Sequence, residues 1–200
     1  VKELLTIIAG GFALGGYVPY AFDILKGRAQ PARSARVMFL CLLVVTILQQ
    51  LSVHSGSLIA FTSGELIGSI AILALAIKYG VGGFARLDMF CYSLLVIDVA
   101  VWLITGNALI ALHLSVLADL IAFTPTLVKT WHRPKSETPL FFITGIIAPV
   151  LNILATGRYG YAVLLFPIYL ALANLVETLL IVIRGRHNPL AAGDPTEPVV

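Results

Sequence analysis

Seven apolar runs, each long enough to cross a bilayer as a helix, follow one another along this chain with only short polar segments between them. They occupy about 4–25, 37–53, 57–78, 89–105, 107–129, 140–156 and 160–183. In hydrocarbon every backbone N–H and C=O must be satisfied within its own segment, so an isolated apolar run can only be an α-helix. Roughly 20 residues suffice to span the hydrocarbon core. The predicted fold is therefore all-α and integral to a membrane, with seven transmembrane helices. Only 12% of the 200 residues are charged while 59% are hydrophobic; a soluble domain carries about 25% charged residues. Too little chain is left over for an extramembrane domain.

The connecting segments are KGRAQPARSAR (26–36), HSGS (54–57), YGVGGFARL (79–87), TG (105–106), WHRPKSETP (131–139) and TGRY (156–159). Connections this short make consecutive helices antiparallel neighbours. The tail, 185–200, is polar and proline-rich and is expected to be disordered. The first run lacks a small-residue cleavage site and reads as a retained span. Cys41 and Cys91 both fall within spans, where packing thiols are expected and a disulfide framework is not.

The net charge of +3 does not point to nucleic acid, because the basic residues sit between apolar runs. Lys26, Arg28, Arg33, Arg36, Lys78, Arg86, Lys129, Arg133, Lys135, Arg184 and Arg186 fall on one side, and only Lys2 and Arg158 on the other. Basic loops stay cytoplasmic, so the N-terminus is expected outside and the C-terminus inside.

The chain also resembles itself. At a register of 103 residues Pro31 falls on Pro134, Ser34 on Glu137, Gln49 on Asn152 and Gly64 on Pro167. At 106 residues Pro19 falls on Pro125, each followed four residues later by a charge, Asp23 or Lys129. Spans one to three and five to seven then form two triplets, and span four inverts the chain between them so that both point the same way. The expected organisation is a first three-helix repeat over 1–80, a linker with the fourth span over 81–106, a second repeat over 107–184, and the tail over 185–200.

This 3+1+3 layout, with a proline near the cytoplasmic end of the first helix of each triplet, resembles the SWEET/PQ-loop transporter superfamily, in its bacterial-type seven-helix branch. The segments that carry the likeness are GGYVPYAFDILKGRAQP (15–31) and ADLIAFTPTLVKTWHRPKSETP (118–139). The resemblance implies two parallel triplets rocking about a site near the bilayer midplane, with Pro19 and Pro125 as hinges. The family's proline–glutamine pair reads Pro19-Tyr20 here and Pro125-Thr126 in the second half. The asparagine that contributes to the family's sugar site on each third helix has a counterpart in Asn174, but its repeat mate is Ala71. A sugar is thus not specified as the substrate.

Polar and ionisable groups within spans are site candidates by default. Asp119 lies roughly 18 Å along its helix from residue 107 and shares a stripe with Ser115, Thr126 and Thr130, expected to face the bundle interior. Its alternatives are solute contact and a structural hydrogen bond to another helix. Pro167, Asn174 and Glu177 share a face of span seven, with Tyr169 pointing to roughly the opposite side. Glu177 is also placed to reach the inner interface. Thr62, Glu65 and Ser69 align on span three, with Glu65 roughly 12 Å from residue 57. Asp98, with Trp102 one turn away, is expected to serve helix contact. His113 has no partner at metal-ligand spacing, and Gly11 and Gly15 favour close helix packing.

The expected function is transport of a small polar solute by alternating access, with a proton as coupling ion. The substrate-binding candidates are Asn174, Asp119, Glu65 and Asn152. The proton-coupling candidates are Asp119, Glu65 and Glu177. No metal or cofactor is expected. The partners are a small-molecule substrate and the lipid of a bacterial cytoplasmic membrane, with a homo-oligomer compatible with the sequence. The alternative is a seven-helix receptor or cargo-sorting protein of KDEL-receptor-like layout that binds without net movement. Span seven has no lysine to hold retinal as a Schiff base. An enzyme is not expected, since HExxH, GxSxG and paired catalytic aspartates are all missing.

Overall fold

The structure is a computed structural model that describes residues 2–52, 56–81, 86–157 and 159–187. Among the described residues the regular elements are helical. They are α1 (Lys2–Gly15), α2 (Tyr17–Leu25), α3 (Arg33–Ser52), α4 (Gly56–Tyr79), α5 (Arg86–Thr105), α6 (Ala108–His132), a 3₁₀ turn (Pro134–Ser136), α7 (Pro139–Thr156) and α8 (Tyr161–His187). Each expected span coincides with a helix, or with the α1–α2 pair, to within four residues at either end. The segments 53–55 and 82–85, Arg158 and the tail from 188 lie outside the described residues.

Among the described residues five stretches are long and apolar enough to cross a membrane: Lys2–Leu25, Phe61–Tyr79, Leu109–His132, Pro139–Thr156 and Tyr161–Gly185. A shorter apolar stretch, Tyr92–Thr105, lies within α5. The solvent preference of the bundle is inverted with respect to a water-soluble protein. Thr46, Thr62, Ser69, Asp98, Ser115, Thr130, Asn152 and Glu177 are buried, whereas Ile7, Ile77, Val96, Leu103 and Ile104 lie open on the outside. An apolar exterior of this extent is what lipid, not water, would cover. The chain is a helical membrane protein.

The helix ends follow from local chemistry. Pro19 cannot donate to the carbonyl of Gly15, and the first span is interrupted one turn earlier, at Gly16, between α1 and α2. At the second of the paired prolines, Pro125, α6 runs on from Ala108 to His132 without a break. Gly157, at φ 61°, closes α7 in the left-handed conformation that a side chain disfavours. Asn107 caps α6, its Oδ1 accepting from the backbone N–H of Leu109 at 3.0 Å and of Ile110 at 3.3 Å. Asn107→Ala is expected to cost about 1 kcal/mol, read as a lowered midpoint of thermal unfolding in detergent.

The two triplets pack alike. α4 touches both α1 and α3, and α8 touches both α6 and α7. No close approach joins α1 to α3 or α6 to α7, so in each triplet the third helix lies between the first two. Between triplets α1 packs on α7 and α6 on α3, contacts that exchange when the halves are interchanged. The polar segment after each first helix returns to the end of its third helix. Val81 donates its N–H to Pro31 at 3.0 Å and accepts from Arg33 at 3.1 Å, and the 3₁₀ turn packs on α8. Gly80 is required there, because a Cβ would lie 2.7 Å from the Pro31 carbonyl oxygen. α5 stands outside both triplets, against α6 and α3.

Candidate functional site

A cavity of about 80 Å³ lies in the middle of the bundle, where α1, α3, α4, α6, α7 and α8 converge. At roughly 30 Å³ per water in the liquid, that is room for a few molecules. Its polar lining is Arg36 from α3, Glu65 from α4, Asp119 and Thr126 from α6, Thr144 from α7 and Asn174 from α8. Aromatic walls come from Phe39, Phe61, Phe123, Phe141 and Phe142.

Each carboxylate is held by a tyrosine of its own triplet. Tyr17 donates its hydroxyl to Glu65 Oε2 at 2.7 Å, joining α2 to α4. Tyr169 donates to Asp119 Oδ2 at 2.7 Å, joining α8 to α6. In the first triplet the tyrosine is on the first span and the acid on the third; in the second triplet these roles are exchanged. Each triplet thus uses one tyrosine–acid pair to join its first span to its third. The expectation that Tyr169 points away from the site is corrected here. It does leave the Asn174 face of α8, and the face it takes is the one against α6.

Asn174 lines the cavity and donates Nδ2 to the Leu170 carbonyl of its own helix at 2.8 Å. Its amide lies where a Cβ on Gly145 would be, so the absence of a side chain at 145 lets α7 and α8 close around it. Arg36, expected only as one of the basic residues of a cytoplasmic loop, lies in the first turns of α3 and reaches the cavity. It donates to the Tyr20 hydroxyl at 3.0 Å, and its guanidinium carbon sits 5.0 Å from the Tyr20 ring centroid and 5.6 Å from that of Phe141.

Beyond Arg36, toward the basic end, polar contacts join the two triplets. Thr138 donates to Asp23 at 2.8 Å, and Asp23 also pairs with Arg28. Lys129 donates to the Gln30 carbonyl at 2.9 Å and forms an ion pair with Glu137. Phe141 inserts against Tyr17 and Tyr20, with ring centroids 5.0 and 4.8 Å apart. Several residues expected as topology signals are thus also structural.

The remaining candidates stand apart from the cavity. Asn152 is fully buried on α7, and neither side-chain atom finds a hydrogen-bond partner. Glu177 is fully buried and accepts from Thr130, an α6–α8 contact. Asp98 accepts from Ser115, a contact that joins α5 to α6. His113 bonds the Leu109 carbonyl and the Tyr161 hydroxyl, both at 2.7 Å. Among the described residues no three His, Cys, Asp or Glu side chains gather as a metal site. Sequence position gave no sign that Tyr17, separated by 48 residues from Glu65, was its partner. Comparison with family models, with curated proteins and with solved structures finds no match to this chain.

Proposed function

We propose that the chain is a seven-span membrane transporter that moves a small polar solute by alternating access, with its basic end cytoplasmic and its N-terminus outside. The two like-packed triplets are the moving parts, α5 is the inverting linker, and the protein resembles SWEET/PQ-loop carriers in this layout. The observation that carries the reading is the cavity between the triplets, with Glu65, Asp119 and Asn174 on its wall. A midplane site is where such folds hold their solute. The Asp23–Thr138 and Lys129–Gln30 contacts tie the triplets at the basic end, so this conformation is closed on that side. Opening there requires these bonds to break while the opposite end closes. Protons are the coupling ion, carried on a cavity carboxylate.

Flux into proteoliposomes tests the reading. Asp119→Asn, Glu65→Gln and Asn174→Ala are each expected to reduce uptake at least about tenfold, as loss of a hydrogen bond to a charged group would. Unaltered transport in all three would remove the cavity as the solute site. Binding without any flux would instead favour the receptor alternative.

A further inference from the structure

Three groups of formal charge face the cavity: the Arg36 guanidinium and the carboxylates of Glu65 and Asp119. Among the described residues the close ion pairs Arg28–Asp23 and Lys129–Glu137 involve none of the three. Arg36 is held by a hydroxyl and two ring faces, with the Glu137 carboxylate as a further electrostatic neighbour, and its Nε is buried without a hydrogen-bond partner. Each carboxylate accepts one tyrosine hydroxyl on one oxygen, Oε2 of Glu65 or Oδ2 of Asp119. Asp119 is buried and Arg36 and Glu65 are partly buried, and charges withdrawn from water are ordinarily paired, because an unpaired one loses hydration without replacement. Here a cation and two acids line one small, aromatic-walled space and act on one another across it without a close ion pair.

We infer that the solute is a small zwitterion of amino-acid type, whose carboxylate lies against Arg36 and whose ammonium group lies against Glu65 or Asp119. This rests on the reading of the cavity as a solute site and names the chemistry it selects. The solute carboxylate lies opposite the guanidinium and its ammonium group opposite one acid, so each charged end of the solute meets a group of the other sign. Arg36 suits the carboxylate because its planar fork presents parallel donors. The aromatic walls and limited volume favour a compact apolar side chain.

The test uses the full chain, purified in detergent and in proteoliposomes. Thermal stabilisation is measured with each protein amino acid, with propionate and ethylamine as carriers of one charge only, and with glucose as an uncharged polyol. At least one amino acid is expected to stabilise, and propionate, ethylamine and glucose are not. Arg36→Gln is expected to weaken that binding at least about thirtyfold, as when one partner of a buried charge pair is removed. Arg36→Lys, which keeps the charge, should bind between wild type and Arg36→Gln, and it serves as the second variant should the glutamine form fail to fold. Stabilisation by glucose alone, by a single-charge probe as strongly as by any amino acid, or by no probe, overturns the proposal. Counterflow of the radiolabelled probe separates the two claims. Glucose exchange without amino-acid exchange keeps the transporter and removes the zwitterion. Amino-acid binding without counterflow keeps the zwitterion site and removes transport.

Discussion

Lys129→Ala is expected to destabilise the folded chain by about 3–5 kcal/mol, the usual cost of removing one partner from a buried ion pair. The Glu137 side chain is 1% exposed and that of Lys129 is 13% exposed, so the orphaned carboxylate could recover little hydration. The same substitution removes the bond from Lys129 to the Gln30 carbonyl, which ties α6 to the first triplet. The effect should lie mainly in Glu137 and not in the lost attraction. A double variant, Lys129→Met with Glu137→Leu, is therefore expected to regain most of the stability, since apolar replacement of a whole buried pair is often neutral. Thermal and urea unfolding of the single and double variants in one detergent would measure this. A double variant as unstable as the single one would show that the bond to Gln30, and not the buried charge, holds this end together.

Gly68→Ala is expected to cost about 1–3 kcal/mol, the range for adding a methyl group to a packed interior. A Cβ at 68 would fall within the Tyr17 ring, and that ring cannot yield without moving the hydroxyl that donates to Glu65 Oε2. The damage should therefore reach the cavity as well as the fold. Tyr17→Phe separates the two effects, because it keeps the ring against Gly68 and removes only the hydrogen bond. The expected result is a lower unfolding midpoint for Gly68→Ala, with solute uptake reduced in both variants. Gly68→Ala as stable as wild type would mean that α2 and α4 have room to part there.

The helices were legible because apolar runs of bilayer length leave the backbone no other way to satisfy its hydrogen bonds. The rotation of each helix about its axis was legible only where polar residues recur on one face. The stripe of Ser115, Asp119, Thr126 and Thr130 on α6 is wholly buried, as its spacing requires. On α8 the same reasoning placed Asn174 and Glu177 on one face, yet Asn174 reaches the cavity and Glu177 does not. They are one turn apart along the helix, and the cavity ends between them. Asn152 was singled out by the repeat register alone, which carries no information on depth or direction.

The chain's own residues determined that it is helical and of a membrane, roughly where each helix lies, and that Glu65, Asp119 and Asn174 lie within apolar helices. Each of these follows from local chemistry, the hydrogen bonding of the backbone in hydrocarbon. Tertiary structure alone decided that these three residues share one cavity with Arg36, that Tyr17 and Tyr169 are the partners of its acids, and that Lys129 meets Glu137 in the seal at the basic end. Those pairings depend on how helices far apart in sequence are turned toward one another. In a lipid-facing bundle, where nearly every face is apolar, the pattern of side chains fixes that rotation only weakly, and close packing settles it.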